Sequence, residues 1–283
     1  MAKLVGVFGV GHNPVTPAFL ANTGTDRLEV KALQARYVDT RERLAAVRPD
    51  VVLAVGSDHL NQWSTANMPG FLVGKAPFAE GPFLWEREHG VPEYRVPIAH
   101  DVAVGIIQQG YDAGIDFAYS DEFRLDHALI VPLHALLPEQ RIPIVPVFSN
   151  AMMPPLPTAK RYHQVGRALR QVIDTGLERD LRVAVVCSGH LSLEIGGPRG
   201  WGWHDPAFDE RLVALVARGD SQALRDLSLE NLNDHGNATW GFMNYILALG
   251  LVNDRQPDVA AAEDPGWGEG APFFIWDTLE AAP

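Results

Sequence analysis

The sequence predicts a single large α/β domain with a central mixed, largely parallel sheet flanked by helices. Short runs rich in valine and isoleucine recur along the chain, and helical patterns fall between them. No internal repeat or low-complexity linker divides the 283 residues.

Residues 4–10 (LVGVFGV), 51–55 (VVLAV), 142–148 (IPIVPVF) and 181–186 (LRVAVV) are too short for independent helices. They read as strands buried on both faces, as in a largely parallel or mixed sheet. Residues 117–119 and 273–276 are weaker strand candidates, expected at edges. Between the runs, helices are predicted over 27–47, 101–113 and 128–137. Residues 158–175 put Tyr162, Val165, Leu169, Val172 and Ile173 on one helical stripe, and 208–218 repeat the device with Phe208, Leu212, Leu215 and Val216. A final helix over 239–251 stops near Asn253, because Gly250 weakens its last turn.

Two segments read as surface excursions. Residues 61–97 are rich in glycine, proline and aromatics, among them Trp63, Phe71, Phe83 and Trp85, and suit a lid or pocket wall. Residues 196–206 (GGPRGWGWHDP) carry Trp201 and Trp203 and suit either pocket lining or an oligomer contact.

Composition narrows the partners. The 23 basic against 35 acidic residues leave a formal charge of −12, which disfavours nucleic acid and anionic membrane surfaces. Cys187 is the single cysteine, so an intrachain disulfide and a thiolate zinc cluster are excluded and a reducing compartment fits. At the end of an apolar strand it reads as a small core residue. The opening MAKLVGVFGVGHNP has the pattern neither of a secretory signal nor, in length, of the roughly 20 apolar residues a membrane span needs. The expectation is a soluble, cytoplasmic protein.

Of the ten histidines, His12, His59 and His190 directly follow predicted strands. In open α/β sheets the ligand site lies beyond the carboxyl ends of the strands, so neighbouring parallel strands would bring these imidazoles together. Imidazole binds zinc, iron and copper, and two imidazoles with a carboxylate leave positions open, an arrangement suited to Fe(II) and dioxygen. Asp58, beside His59, reads as a group that orients an imidazole. Asp126, before His127 at a helix start, reads first as an N-cap and second as a repeat of that pairing. Other motifs are excluded: GVFGVGHNP lacks the G-x-G-x-x-G spacing, and Ser188 lies in no G-x-S-x-G elbow.

The order GVGHNP, PDVVLAVGSDH, MPGFLVG, LDHALIVPLHALLP, IPIVPVFSN and VAVVCSGHLS resembles the class III extradiol ring-cleavage dioxygenases, the superfamily of the protocatechuate 4,5-dioxygenase catalytic subunit. The resemblance implies one catalytic domain over residues 1–283 that cleaves a catechol-like or aminophenol-like ring with O2, in aromatic catabolism. It implies Fe(II) held by His12 and His59, with His127 in the pocket, contacting a substrate hydroxyl or helping proton transfer; His190, from its own place on the turn after the strand, is a further candidate for handling protons. It further implies a homo-oligomer or pairing with a second subunit.

Two departures qualify it. Aligned on the family's Gly-Gly-(Leu/Met)-Ser-His turn, Leu193 stands where the acid/base histidine is expected, while His190 stands three residues earlier, at a family glycine. Aligned on Gly-Asn-Gly-x-His-Glu-x-x-Asn-Trp, the stretch GNATWGFMNY puts Gly241 at the glutamate that completes the iron site. Glu194, Glu230, Asp234, His235 or water is then left to replace it. These departures keep two further readings open: a metal-dependent, non-oxidative enzyme on a related aromatic, or a non-catalytic subunit paired with an active paralogue.

Overall fold

Valine-rich runs become strands because branched side chains pack well on both faces of a covered sheet. A computed structural model describes residues 1–227, 229–266 and 268–279. Its strands are β1 (Lys3–Gly11), β2 (Val51–Ser57), β3 (Phe71–Gly74), β4 (Phe78–Gly81), β5 (Tyr94–Pro97), β6 (Ala118–Ser120), β7 (Ile144–Ser149), β8 (Arg182–Gly189), β9 (Val259–Glu263) and β10 (Ala271–Trp276). The helices are α1 (Thr16–Ala21), α2 (Leu28–Ala46), α3 (Leu84–Glu88), α4 (His100–Asp112), α5 (His127–Leu136), α6 (Ala159–Gly176), α7 (Pro206–Ala217), α8 (Ser221–Arg225), α9 (Leu229–Asn233) and α10 (Met243–Leu251).

Among the described residues, one eight-stranded sheet runs β6-β3-β7-β2-β8-β1-β10-β9. Its centre, β7-β2-β8-β1, is parallel, while β3 and β10 join that centre antiparallel. The chain is thus a single α/β domain on a mixed, mostly parallel sheet. Alternation along β2 feeds two cores: Val51, Leu53 and Val55 pack with α6 and α10 residues such as Leu169 and Ile246, whereas Val52 and Ala54 pack with Leu33 of α2 and Leu129 of α5. Cys187 lies wholly buried in the first of these cores.

The structure corrects three expectations. Residues 273–276 are not an edge strand: β10 is paired on one side with β1 and on the other with β9, because its aromatic run is buried on both faces. Residues 61–97 are not a single excursion: Phe71–Gly74 is a sheet strand, and β4 and β5 form a separate hairpin that flanks α3. Their short length and their glycines and prolines hide the period-2 signal. The last helical segment begins as a 3-10 turn, Thr239–Phe242, before continuing as α10. It ends with Asn253 and Asp254 in the left-handed region.

Candidate metal centre

The parallel register decides which side chains meet. Gly11 of β1 stands opposite Gly189 of β8, so His12 and His190 leave adjacent strands side by side. β2 lies on the other flank of β8 and sends His59 toward the same point. The fourth ring comes from His127, the first residue of α5. Ring centroids are 4.0 Å apart for His12–His190, 5.2 Å for His12–His59, 5.7 Å for His12–His127 and 4.1 Å for the stacked His59–His127 pair. The sequence-predicted His12, His59, His127 and His190 are thus gathered in one place.

Each imidazole is tied at Nδ1. His12 Nδ1 lies 2.7 Å from Ser188 Oγ, and His190 Nδ1 lies 2.7 Å from Glu269 Oε2. His59 and His127 share a tighter device, in which one carboxylate oxygen accepts both the backbone N–H and the ring N–H of the same histidine. Asp126 Oδ2 does so for His59, at 2.9 Å for both contacts, and Glu86 Oε1 for His127, at 2.8 and 2.6 Å. A carboxylate on Nδ1 fixes the tautomer whose Nε2 keeps its lone pair.

The electrostatics follow from burial and these partners. Burial, then the neighbouring imidazoles of His190, His59 and His127, hold His12 well below the ordinary histidine range. For His59 burial pulls down, but the carboxylates of Asp126, Asp58 and Glu86 together outweigh it and the net shift is upward. Burial would raise Asp126, yet His59 and His127 bring it down to about 2. His127 is lowered by burial and by His59, against the pull of Glu86.

The donor set fits a divalent metal. Ligand atoms of His12, His59 and His190 all lie within 4.8 Å of one another, and so do those of His59, Asp126 and His127. His12 Nε2 is buried without a hydrogen-bond partner, and so is Ser57 Oγ. Both residues line a small cavity of about 20 Å³ together with His59, Ala151, Met152, His190, Ile195, Ala238 and Gly241. An unpartnered buried imidazole nitrogen costs free energy unless an ion or ligand satisfies it. Nitrogen donors of this kind suit zinc, iron or copper, and a three-nitrogen set leaves positions open for substrate.

The expected replacements for a carboxylate ligand fare differently. Glu194 accepts the Asn237 N–H and stands 3.9 Å from Arg199. Asp234 is exposed, and His235 bonds Asp205 and stacks at 3.6 Å on Phe208. None of these three belongs to a described histidine cluster, and the side chain of Glu230 lies outside the described residues. Asp58 does not orient an imidazole either: its carboxylate caps the turn by accepting the N–H groups of Gln62 and Trp63. That task belongs to Asp126, whose other oxygen accepts the Ala128 N–H, so the cap and the pairing coexist in one side chain. Glu86 and Glu269 escaped the sequence reading, since each lies at least 41 residues from its histidine in the chain. The GEGAPFF and LWERE contexts carry no motif that would have flagged them.

Comparisons with known proteins place the chain in a family. A family model described as the catalytic LigB subunit of aromatic ring-opening dioxygenase matches residues 7–264. A 2,3-dihydroxyphenylpropionate/2,3-dihydroxicinnamic acid 1,2-dioxygenase of Burkholderia vietnamiensis is 32% identical over 187 residues, covering 66% of this chain and 55% of that protein. The enzyme of the same name from Photorhabdus laumondii is 34% identical over 188 residues, covering 65% and 55%. That from Cupriavidus pinatubonensis is 32% identical over 198 residues, covering 70% and 59%. The chain thus spans a little over half the length of these relatives. An uncharacterized protein of Escherichia coli K12, JW3007, shares the fold with a TM-score of 0.53 at 15% identity, covering 95% of this chain and 99% of its own.

Proposed function

This chain belongs to the family of the catalytic LigB subunit of aromatic ring-opening dioxygenase, and from that premise we propose that it is a non-haem Fe(II)-dependent extradiol dioxygenase. Its substrate is a catechol-like or aminophenol-like aromatic, and both atoms of O2 enter the ring-opened product. The observation that carries this reading is the convergence of His12, His59 and His127, each oriented through Nδ1, at the carboxyl end of the parallel strands.

His12 and His59 are the metal ligands. Bound there, Fe(II) supplies a Lewis acid for the two ring oxygens and a redox partner for dioxygen. His127 takes the proton of a substrate hydroxyl: Glu86 holds its Nδ1–H, and burial and His59 keep its ring neutral near pH 7, so Nε2 is free to act as a base. Met152, Ala151, Ile195 and Ala238 give the small cavity beside the imidazoles apolar walls.

Anaerobic reconstitution should load about one ferrous ion per chain. Oxygen uptake with a panel of catechols and aminophenols then tests the reaction. Iron-loaded protein that consumes no oxygen with any of them counts against ring cleavage. Leu193 and Gly241, where the family pattern has its acid/base histidine and glutamate, favour a second reading, a non-oxidative reaction at the same metal. Turnover under nitrogen would select that reading.

Assembly with a second copy or another subunit is part of this reading, and the exposed Trp201 is the loop residue placed to meet it. Sedimentation of the purified chain, alone and in its native extract, measures this. The single buried Cys187 supports a reducing, cytoplasmic setting. Among the described residues, no helix is long and apolar enough to cross a membrane.

A further inference from the structure

We infer that His190 is the third metal ligand, supplied from the adjacent turn after β8 to replace the glutamate that the family pattern puts at Gly241, and that Glu269 returns the lost negative charge. This inference rests on the reading of His12 and His59 as metal ligands.

The first support is steric. His190 and Gly241 both line the pocket. A Cβ built on Gly241 would fall 3.1 Å from the His190 backbone nitrogen and 3.2 Å from its ring Cδ2. Both contacts are tighter than most side chains accept; the backbone one asks for a shift of a few tenths of an ångström whatever residue stands at 190, and the ring one sets the two side chains against each other. The two positions therefore compete for one space. The family pattern has glycine where this chain has His190 and glutamate where this chain has glycine. The exchange is reciprocal, as expected if one ligand is traded for another between two neighbouring positions.

The second support is the donor geometry. A ligand nitrogen of His190 lies within 4.8 Å of those of His12 and His59, a spacing that small side-chain rotations close onto one ion. Its Nδ1 is taken by Glu269, which leaves Nε2 as the donor.

The third support is charge. Exchanging a carboxylate ligand for a neutral imidazole removes one negative charge from beside a dication. Glu269 is 4% exposed, accepts from His190 Nδ1 at 2.7 Å with one oxygen and from Asn13 Nδ2 at 2.9 Å with the other. It places a carboxylate one imidazole away from the ion, where it makes the ring a more basic ligand. Glu269 is a positioning residue, acting through His190. With His190 committed to the metal, proton transfer falls to His127.

The test uses Co(II) titrated into metal-free full-length protein against a competing chelator, with the visible d–d spectrum recorded. His190→Ala should weaken Co(II) by at least about tenfold and change the spectrum, and Glu269→Gln should weaken it by about 10–100-fold. Gly241→Glu alone should also weaken binding, because the new side chain meets the histidine. The double variant His190→Gly with Gly241→Glu should regain at least about tenfold over His190→Gly, with a spectrum of one fewer nitrogen donor. This rescue also decides the matter if His190→Ala fails to fold. Co(II) affinity in His190→Ala within about twofold of wild type, with an unchanged spectrum, overturns the inference. If His12→Ala and His59→Ala then still abolish binding, the proposed function survives. Wild-type protein that binds no Co(II) overturns both.

Discussion

Asp126 Oδ2 accepts the backbone N–H and the ring N–H of His59 through the same oxygen, while Oδ1 caps α5 through the Ala128 N–H. One buried carboxylate therefore starts a helix, aims an imidazole and sets its charge. Its own pKa, brought down to about 2, means that this stabilisation is fully present above about pH 4 and is lost as pH falls toward 2.

Asp126→Asn should produce a crossing pair of metal-affinity curves. The wild-type aspartate raises His59 against the downward pull of burial, so a metal competes with a tightly held proton and affinity falls as pH drops through that raised value. Asparagine removes the charge, and the midpoint of the loss should move to lower pH. At pH 8 the same variant should bind metal about 10–100-fold more weakly, because the imidazole is less basic and less well aimed. Chelator competition from pH 5 to 8 measures both effects, and two parallel curves would contradict this account.

Glu86→Gln should separate metal binding from proton transfer. Glu86 pulls His127 upward against burial and His59, so its loss lowers that ring further and makes it a weaker base. Metal content should stay near wild type while kcat drops by about 10–100-fold. The acid limb of the kcat profile should shift to lower pH, since the ring stays neutral further down. A loss of bound metal equal to the loss of rate would assign Glu86 to the metal instead.

Asp209, at the start of α7, accepts the Ser192 N–H at 2.7 Å, yet burial raises its pKa to about 6. A carboxyl with a raised folded-state pKa is most favourable below its unfolded value near 4, and that contribution is lost as pH rises through about 6. Asp209→Asn keeps an acceptor for Ser192 and removes the buried charge. It should raise stability above pH 7 by on the order of 2 kcal/mol relative to its effect at pH 4. Denaturant midpoints at the two pH values provide the comparison.

Gly166 of α6 packs against α10 so closely that a Cβ there would stand 2.0 Å from the Leu247 carbonyl oxygen. Gly166→Ala should therefore cost at least about 1–3 kcal/mol by forcing the helices apart, despite alanine's better helix propensity. Gly24→Ala, where nothing lies within 4 Å, is the control and should stay within about 0.5 kcal/mol. Thermal unfolding of both proteins checks the contrast.

Much of the frame was legible before any coordinates. The runs ending near His12, His59 and His190 carry their strand identity in branched apolar residues, and the stripe from Tyr162 to Ile173 carries the period of a helix, because both signals are local. The motifs around His12, His59 and His127 likewise marked the imidazoles that the structure gathers in one place. What local signals misplaced were the short strand at Phe71–Gly74, hidden in a glycine-rich stretch, and the position of β10, which depends on a partner strand added from elsewhere in the chain.

The sequence by itself determined the α/β class, the candidate imidazoles and the absence of the usual glutamate and acid/base histidine. Only the tertiary structure decided which carboxylates serve which rings, since Glu86 reaches His127 across 41 residues and Glu269 reaches His190 across 79. Charge and hydrogen bonding act through space, so residues far apart in the chain complete the centre only once parallel strands and their loops bring them within 3 Å of each other.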